Sequence, residues 1–183
     1  MIMNKYISIL RGINVSGQKK IVMSDLKALF TSLGFKNIVT YIQSGNVIFE
    51  CKSIDKDTVK TEIEAAIERQ YSFHVTVQIF TVEQFKQILN DCPFKDVSID
   101  YDGSKVFFSF LSAKPDPAIF EDVAKVAANT EKIISSNQVI YLHCPNGYGR
   151  TKLSNVFLER KLNVSATTRN WKTVSKLCEL AQN

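Results

Sequence analysis

Between Lys5 and Ile79 the apolar pattern changes period in an order that few architectures accommodate. Residues 5–10 are β-favouring, and Leu26, Leu29, Phe30 and Leu33 then recur at helical spacing over Met23–Leu33, closed by Gly34. Ile38–Gln43 and Val47–Glu50 flank the turn signal Ser44-Gly45-Asn46, which predicts a hairpin. Val59, Ile63, Ala66 and Ile67 mark a second helix, and His74–Ile79 alternates with period two. Residues 1–80 therefore read βαββαβ, the split-βαβ or ferredoxin-like order, in which an antiparallel sheet carries both helices on one face.

The same order then returns. Thr81–Leu89 reads as a short helix with Thr81 and Gln84 in capping-box positions, stopped by Pro93, and the stretch to Gly103 reads as a linker ending in an Asp100–Gly103 turn. Beyond it come a strand (Val106–Leu111), a helix (Pro117–Ala128), a hairpin (Lys132–Ser135 and Val139–His143), a helix (Lys152–Lys161) and a strand (Val164–Thr168). A closing helix, Trp171–Ala181, is extra. The expected organisation is α+β: a ferredoxin-like half over 1–80, a short helix and linker over 81–103, a second ferredoxin-like half over 104–169 and a C-terminal helix over 170–183. Ile42–Phe49 also resembles Ile134–Tyr141, 92 residues further on, sharing Ile, Ser, Val and Ile in register. This points to internal duplication.

With 45% hydrophobic and 22% charged residues, the chain has the balance of a globular protein rather than a disordered one. No apolar run reaches membrane length, and Tyr6–Leu10 is too short for a signal peptide, so no membrane role is expected. Cys51, Cys92, Cys144 and Cys178 lack C-x-x-C spacing and fit reduced thiols, which with the other features predicts a cytoplasmic protein. Charge is unevenly placed: residues 1–50 carry a net +4, residues 51–139 a net −4 and residues 140–183 a net +5. If folding joins the two ends, they form one positive surface suited to an anionic partner.

Two stretches carry that charge on loops. Asn146–Asn155 combines Gly147 and Gly149 with Arg150 and Lys152, and Thr151 is placed to cap the helix expected to begin there. At the first β–α junction, Leu10–Lys20 combines Gly12 and Gly17 with Arg11, Lys19 and Lys20 around Asn14. Either could be an anion cradle, and the first-junction loop could equally be a flexible connection. Neither has the spacing of a Walker or dinucleotide loop, so nucleotide hydrolysis is not indicated. His143 and Cys144 are adjacent in a strand and point to opposite faces, so they form no dyad. No metal or cofactor is called for.

Leu10–Val15, Tyr41–Val47, Gly149–Asn155 and Ala166–Trp171 together resemble the signature stretches of the bacterial family called domain of unknown function 1697. The resemblance spans essentially the whole chain. It implies ferredoxin-like halves with a C-terminal extension, and it implies no activity. One departure is Ser16, where the family usually has glycine, which argues against a need for unusual backbone freedom in that loop.

The candidate ligand-binding residues are Arg11, Gly12, Asn14, Ser44, Asn46, Gly149, Arg150, Lys152, Asn155, Thr168, Arg169, Asn170 and Trp171. They are amides, hydroxyls, cations, glycines and one indole, with no acid, histidine or thiol of the kind that general acid–base or nucleophilic chemistry uses. Trp171 fits either stacking on a ligand ring or anchoring the last helix. The favoured expectation is a module that binds a phosphate-bearing ligand, a nucleotide or nucleic acid. The rivals are an enzyme working through polar groups alone and an assembly protein whose motifs lock its halves.

Overall fold

The computed structural model describes residues 3–52, 55–96 and 103–182. Residues 100–102 of the expected Asp100–Gly103 turn, and part of the expected linker, lie outside them. The chain forms two compact units, Met1–Lys86 with Leu177–Asn183, and Gln87–Lys176. Each contains a ferredoxin-like sheet.

In the first unit the strands are β1 (Asn4–Leu10), β2 (Lys36–Tyr41), β3 (Asn46–Cys51) and β4 (Val77–Thr81), in the antiparallel order β2-β3-β1-β4. Helices α1 (Met23–Ser32) and α2 (Lys56–Tyr71) pack on one face. Their apolar stripes, Leu26, Leu29 and Phe30 with Val59, Ile63 and Ile67, meet Tyr6, Leu10, Val47, Phe49 and Val77. Phe35 stacks on Phe49 at 4.7 Å between ring centroids, and Phe30 meets Phe49 edge-on at 5.2 Å, so three rings fill the space beneath α1. Ser8 is buried on the same face, and its hydroxyl donates to the Val47 carbonyl at 3.2 Å. This satisfies a polar group that burial would otherwise make costly.

Helix α3 (Val82–Asn90) follows β4 with the reciprocal cap its sequence announces: the Gln84 N–H donates to the Thr81 hydroxyl, and the Thr81 N–H donates to the Gln84 side chain, both at 3.1 Å. The second unit repeats the sheet with β5 (Val106–Leu111), β6 (Lys132–Ser136), β7 (Val139–His143) and β8 (Ala166–Asn170) in the order β6-β7-β5-β8. Helix α4 (Pro117–Ala124) starts where Asp116 accepts from the Ala118 and Ile119 N–H groups and Pro117 takes the first position. Helix α5 (Asn155–Leu162) packs beside it over Phe107, Leu111, Ile140 and Leu142. The chain's last helix is α6 (Trp171–Leu180).

Several boundaries move. The strand expected from His74 begins at Val77, leaving His74 exposed ahead of it, and the strand expected over Val164–Thr168 runs Ala166–Asn170. Helix α4 ends at Ala124 rather than Ala128. The internal match also changes. Ser8 pairs with Val47 in the first sheet and Ser109 with Ile140 in the second, and each pair faces its own helices. Val47 thus corresponds to Ile140, one residue beyond the alignment of letters, which would place Val139 on the wrong face. Period-two side chains make such a slip a reversal of inside and outside. The duplication is therefore one of topology, and the shared letters are hairpin chemistry.

His143 lies on the β7 face opposite Cys144, which belongs to the helix-packed core. It is buried, neither ring nitrogen has a hydrogen-bond partner, and its ring meets Phe94 at 6.1 Å. Burial, with a further push from Lys132 on the neighbouring strand, holds the imidazole below its ordinary pKa. The unfolded chain therefore binds the proton more readily. Stability contributed by neutral His143 is complete above the unfolded value of about 6.5 and falls as pH drops towards the lowered folded value. Urea midpoints at about pH 7.5 and about pH 5.5 should show this loss, and His143→Phe should reduce the difference between them.

Candidate functional site

The loop between β1 and α1 is a miniature hairpin. Val15 and Gln18 form an isolated bridge, with the Gln18 N–H donating to the Val15 carbonyl at 2.9 Å, and the intervening Ser16 and Gly17 have φ of +50° and +75°. Two successive left-handed residues make the tight reversal whose twist suits a hairpin. Ser16 thus occupies a conformation in which a side chain is strained, which corrects the expectation that a serine there signals an ordinary backbone.

Asn14 fixes this loop in place. Its side-chain N–H group donates to the Ile21 and Gln43 carbonyls, both at 2.8 Å, and its side-chain oxygen accepts from the Ile21 N–H at 2.9 Å. Asn46 does the same for the β2–β3 turn, donating to the Tyr41 carbonyl at 3.0 Å and the Ser44 hydroxyl at 2.9 Å. Loop and turn are also packed together at Gly45. Its carbonyl lies against β1, with the Leu10 N–H donating to it at 2.8 Å, and a Cβ there would meet Ile13 at 2.7 Å and Leu10 at 2.8 Å. With φ of +79°, only glycine serves at that point. Four of the predicted residues, Asn14, Ser44, Asn46 and Gly12, are therefore gathered at one end of the first sheet together with Arg11, whose N–H donates to the Thr76 carbonyl at 2.9 Å.

A cleft of about 450 Å³ opens beside this pinned loop. Asn14, Gly17, Lys20 and Ile21 line it from the loop, Val22, Met23 and Ser24 from the start of α1, and Gln43 from the turn. Helix α1 has Val22 at its N-cap, with no side chain capping it, so its first-turn N–H groups and the positive end of the helix dipole meet no acceptor from the cap position, and Asp25 is the carboxylate within that turn. Exposed Lys20 adds a full positive charge, while Lys19 is drawn away to the His74 carbonyl at 2.7 Å. No acid, histidine or thiol lines the cleft among the described residues. Lys20 belongs to the cationic loop expected to cradle an anion, whereas Val22–Ser24 and Gln43 are cleft-lining residues that the sequence pattern does not single out. Adjacent Lys19-Lys20 immediately before a predicted helix start was the available signal.

In the second unit the predicted residues separate into two kinds. Thr168 is the hub of the first: it donates to the Asn155 side-chain oxygen at 2.6 Å, receives the Tyr148 hydroxyl at 3.1 Å and lies 2.7 Å from the Ser109 hydroxyl. Asn170 caps α6 by accepting from the Thr173 N–H at 2.9 Å, and buried Arg169 donates to the Thr168 carbonyl at 3.0 Å. Trp171 packs its ring 5.8 Å from Phe108, and a Cβ on Gly103 would come within 2.9 Å of it. These side chains hold the fold of their unit. The second kind, Gly149, Arg150 and Lys152, is exposed. Thr151 does not cap a helix: α5 begins at Asn155, its cap is Ser154 accepting from the Phe157 N–H at 3.3 Å, and Thr151 instead accepts from the Leu153 N–H at 3.1 Å. Unlike α1, that helix start is already satisfied.

All four cysteines are buried thiols, and burial pushes those of Cys92, Cys144 and Cys178 up to about 11, where they are poor nucleophiles. Among the described residues, no three acids, histidines or cysteines cluster as a metal site requires, and no helix is long and apolar enough to cross a membrane.

A family model described as "Protein of unknown function (DUF1697)" matches residues 3–141. No curated protein matches the chain significantly. Among solved structures, that of the conserved bacterial protein SP0830 from Streptococcus pneumoniae is similar, with a TM-score of 0.77 and 24% sequence identity over 98% of this chain and 99% of that one. At that identity the likeness speaks for the fold.

The division into pins and presented cations has a direct consequence for stability. Asn14→Ala removes three hydrogen bonds and should cost about 1–3 kcal/mol, whereas Lys20→Ala and Arg150→Ala should each change stability by less than about 0.5 kcal/mol. Chemical denaturation of the three variants checks the contrast.

Proposed function

The chain belongs to the DUF1697 family, whose description carries no activity, and from the geometry we propose that it binds a phosphate-bearing small molecule of nucleotide size in the cleft beside Asn14. The observation that carries this reading is the uncapped start of α1 opening into a cleft that also presents Lys20. Exposed helix N–H groups and the helix dipole favour an anion, and a nearby ammonium adds a charge-assisted contact. The cleft's volume lies within the range of small-molecule sites and is too confined for a length of duplex. The Ser24 hydroxyl donates to the Asp25 carboxylate at 3.4 Å, but no histidine lines the cleft among the described residues to relay its proton, which favours binding over hydrolysis. Arg150 and Lys152 are exposed cations on the second unit.

Titration of the full chain with ATP and AMP, and with labelled single-stranded and duplex oligonucleotides, tests the proposal. Nucleotide binding should weaken as salt rises, and Lys20→Glu should weaken it by about tenfold or more, the equivalent of one charge-assisted hydrogen bond. If Arg150→Ala abolishes binding while Lys20→Glu leaves it intact, the ligand belongs at residues 149–152 and the cleft assignment is wrong. Tight oligonucleotide binding with no affinity for mononucleotides would replace the small ligand with nucleic acid.

A further inference from the structure

The first unit has a second and larger concavity, independent of the cleft beside Asn14. It measures about 720 Å³ and wraps the edge strand β2. The sheet register sets its composition. Lys36, Glu50 and Lys5 are cross-strand neighbours on β2, β3 and β1, and the next row on that face holds Val39, Ile48 and Ile7. Leu180, from the C-terminal segment of this unit, closes one side, and Lys27 and Thr31 of α1 approach from the other side of the strand.

The charges in this concavity are unequal. Among the described residues Glu50 is the single carboxylate lining it, and both its oxygens are engaged, one 3.6 Å from the Lys5 ammonium and the other accepting from the Asn37 side chain at 2.8 Å. Lys27 and Lys36 are exposed and have no ion pair among the described residues. The apolar part is Val39, 40% exposed, which continues into Ile38, Ile48, Phe35 and Leu180. Peptide addition along the strand is opposed by the register shift between Lys36 and Val39, where Asn37 has φ of +49°, since a bulge breaks the regular row of backbone groups a new strand would need.

We propose that this concavity is a binding site for a small amphipathic anion, an apolar body lying against Val39, Ile48 and Leu180 with a carboxylate or phosphate head between Lys27 and Lys36. The volume fits one such molecule and is well inside the range of ligand pockets. Lysines on flexible stems suit a compact anionic head of either kind, and burying the apolar body removes Val39 from water.

The test uses the fluorescent probe anilinonaphthalene sulfonate on the full chain, competed by octanoate, octyl phosphate, octanol and inorganic phosphate. Displacement by octanoate or octyl phosphate, but not by octanol or inorganic phosphate, is expected, and the stronger of the two identifies the head group. Lys36→Glu and Val39→Asp, both surface changes, should each weaken octanoate or octyl phosphate at least about tenfold, because one removes the head's partner and the other places a like charge against its body. Lys20→Glu should leave this binding unchanged, which separates it from the nucleotide proposal. Displacement by octanol as readily as by octanoate, insensitivity to both substitutions, or absence of probe binding would each overturn the proposal.

Discussion

The three hydrogen bonds of the Asn14 side chain decide the shape of the surface on which the functional reading rests. They tie the β1–α1 loop to the backbone at Ile21 and, through Gln43, to the β2–β3 turn. Without them the loop would be a short ribbon of left-handed residues with little burial of its own. With them, Lys20 and the start of α1 both line a defined cleft. The close packing of Gly45 against Ile13 and Leu10 serves the same end, since it leaves turn and loop no room to part.

The same division of labour recurs in the second unit. The Thr168 hydroxyl draws together Asn155, Tyr148 and Ser109, and Asn170 starts the last helix, while Arg150 and Lys152 remain outside the network. Motif residues that look alike on paper thus do different things. Amides and hydroxyls fix backbone, where an unmade hydrogen bond is expensive, as do buried Arg169 and, at the His74 carbonyl, Lys19, whereas Lys20, Arg150 and Lys152 stand exposed, where ion pairs contribute little to folding. Charge that does so little for stability is available for a ligand.

Much of the architecture was legible in the sequence because its signals are local. The change from period two to helical period gives βαββαβ twice, and the Thr81 and Gln84 pair announces a cap that forms as expected. The failures have an equally specific cause. Thr151 and Ser154 are both good caps, and in the fold Leu153 between them is buried in the core while the helix starts from Ser154. Ser16 reads as an ordinary residue until its position in a tight reversal is known. The matched letters around the two hairpins conceal a one-residue slip, which only strand register reveals. Of the site, the loop and Asn14 were readable. The missing cap on α1 was readable too, since the expected start at Met23 leaves Val22, which has no side-chain acceptor, at the N-cap, but the cleft beside it depends on the folded loop.

The claim that this uncapped helix start receives an anion is most directly tested by mapping amide chemical shifts while a mononucleotide is added. The account predicts saturable changes concentrated at Gly17, Lys20–Ser24 and Gln43, with the largest at the first-turn amides of α1. Changes confined to Gly149–Ser154, or none at the α1 start at saturating nucleotide, would contradict it.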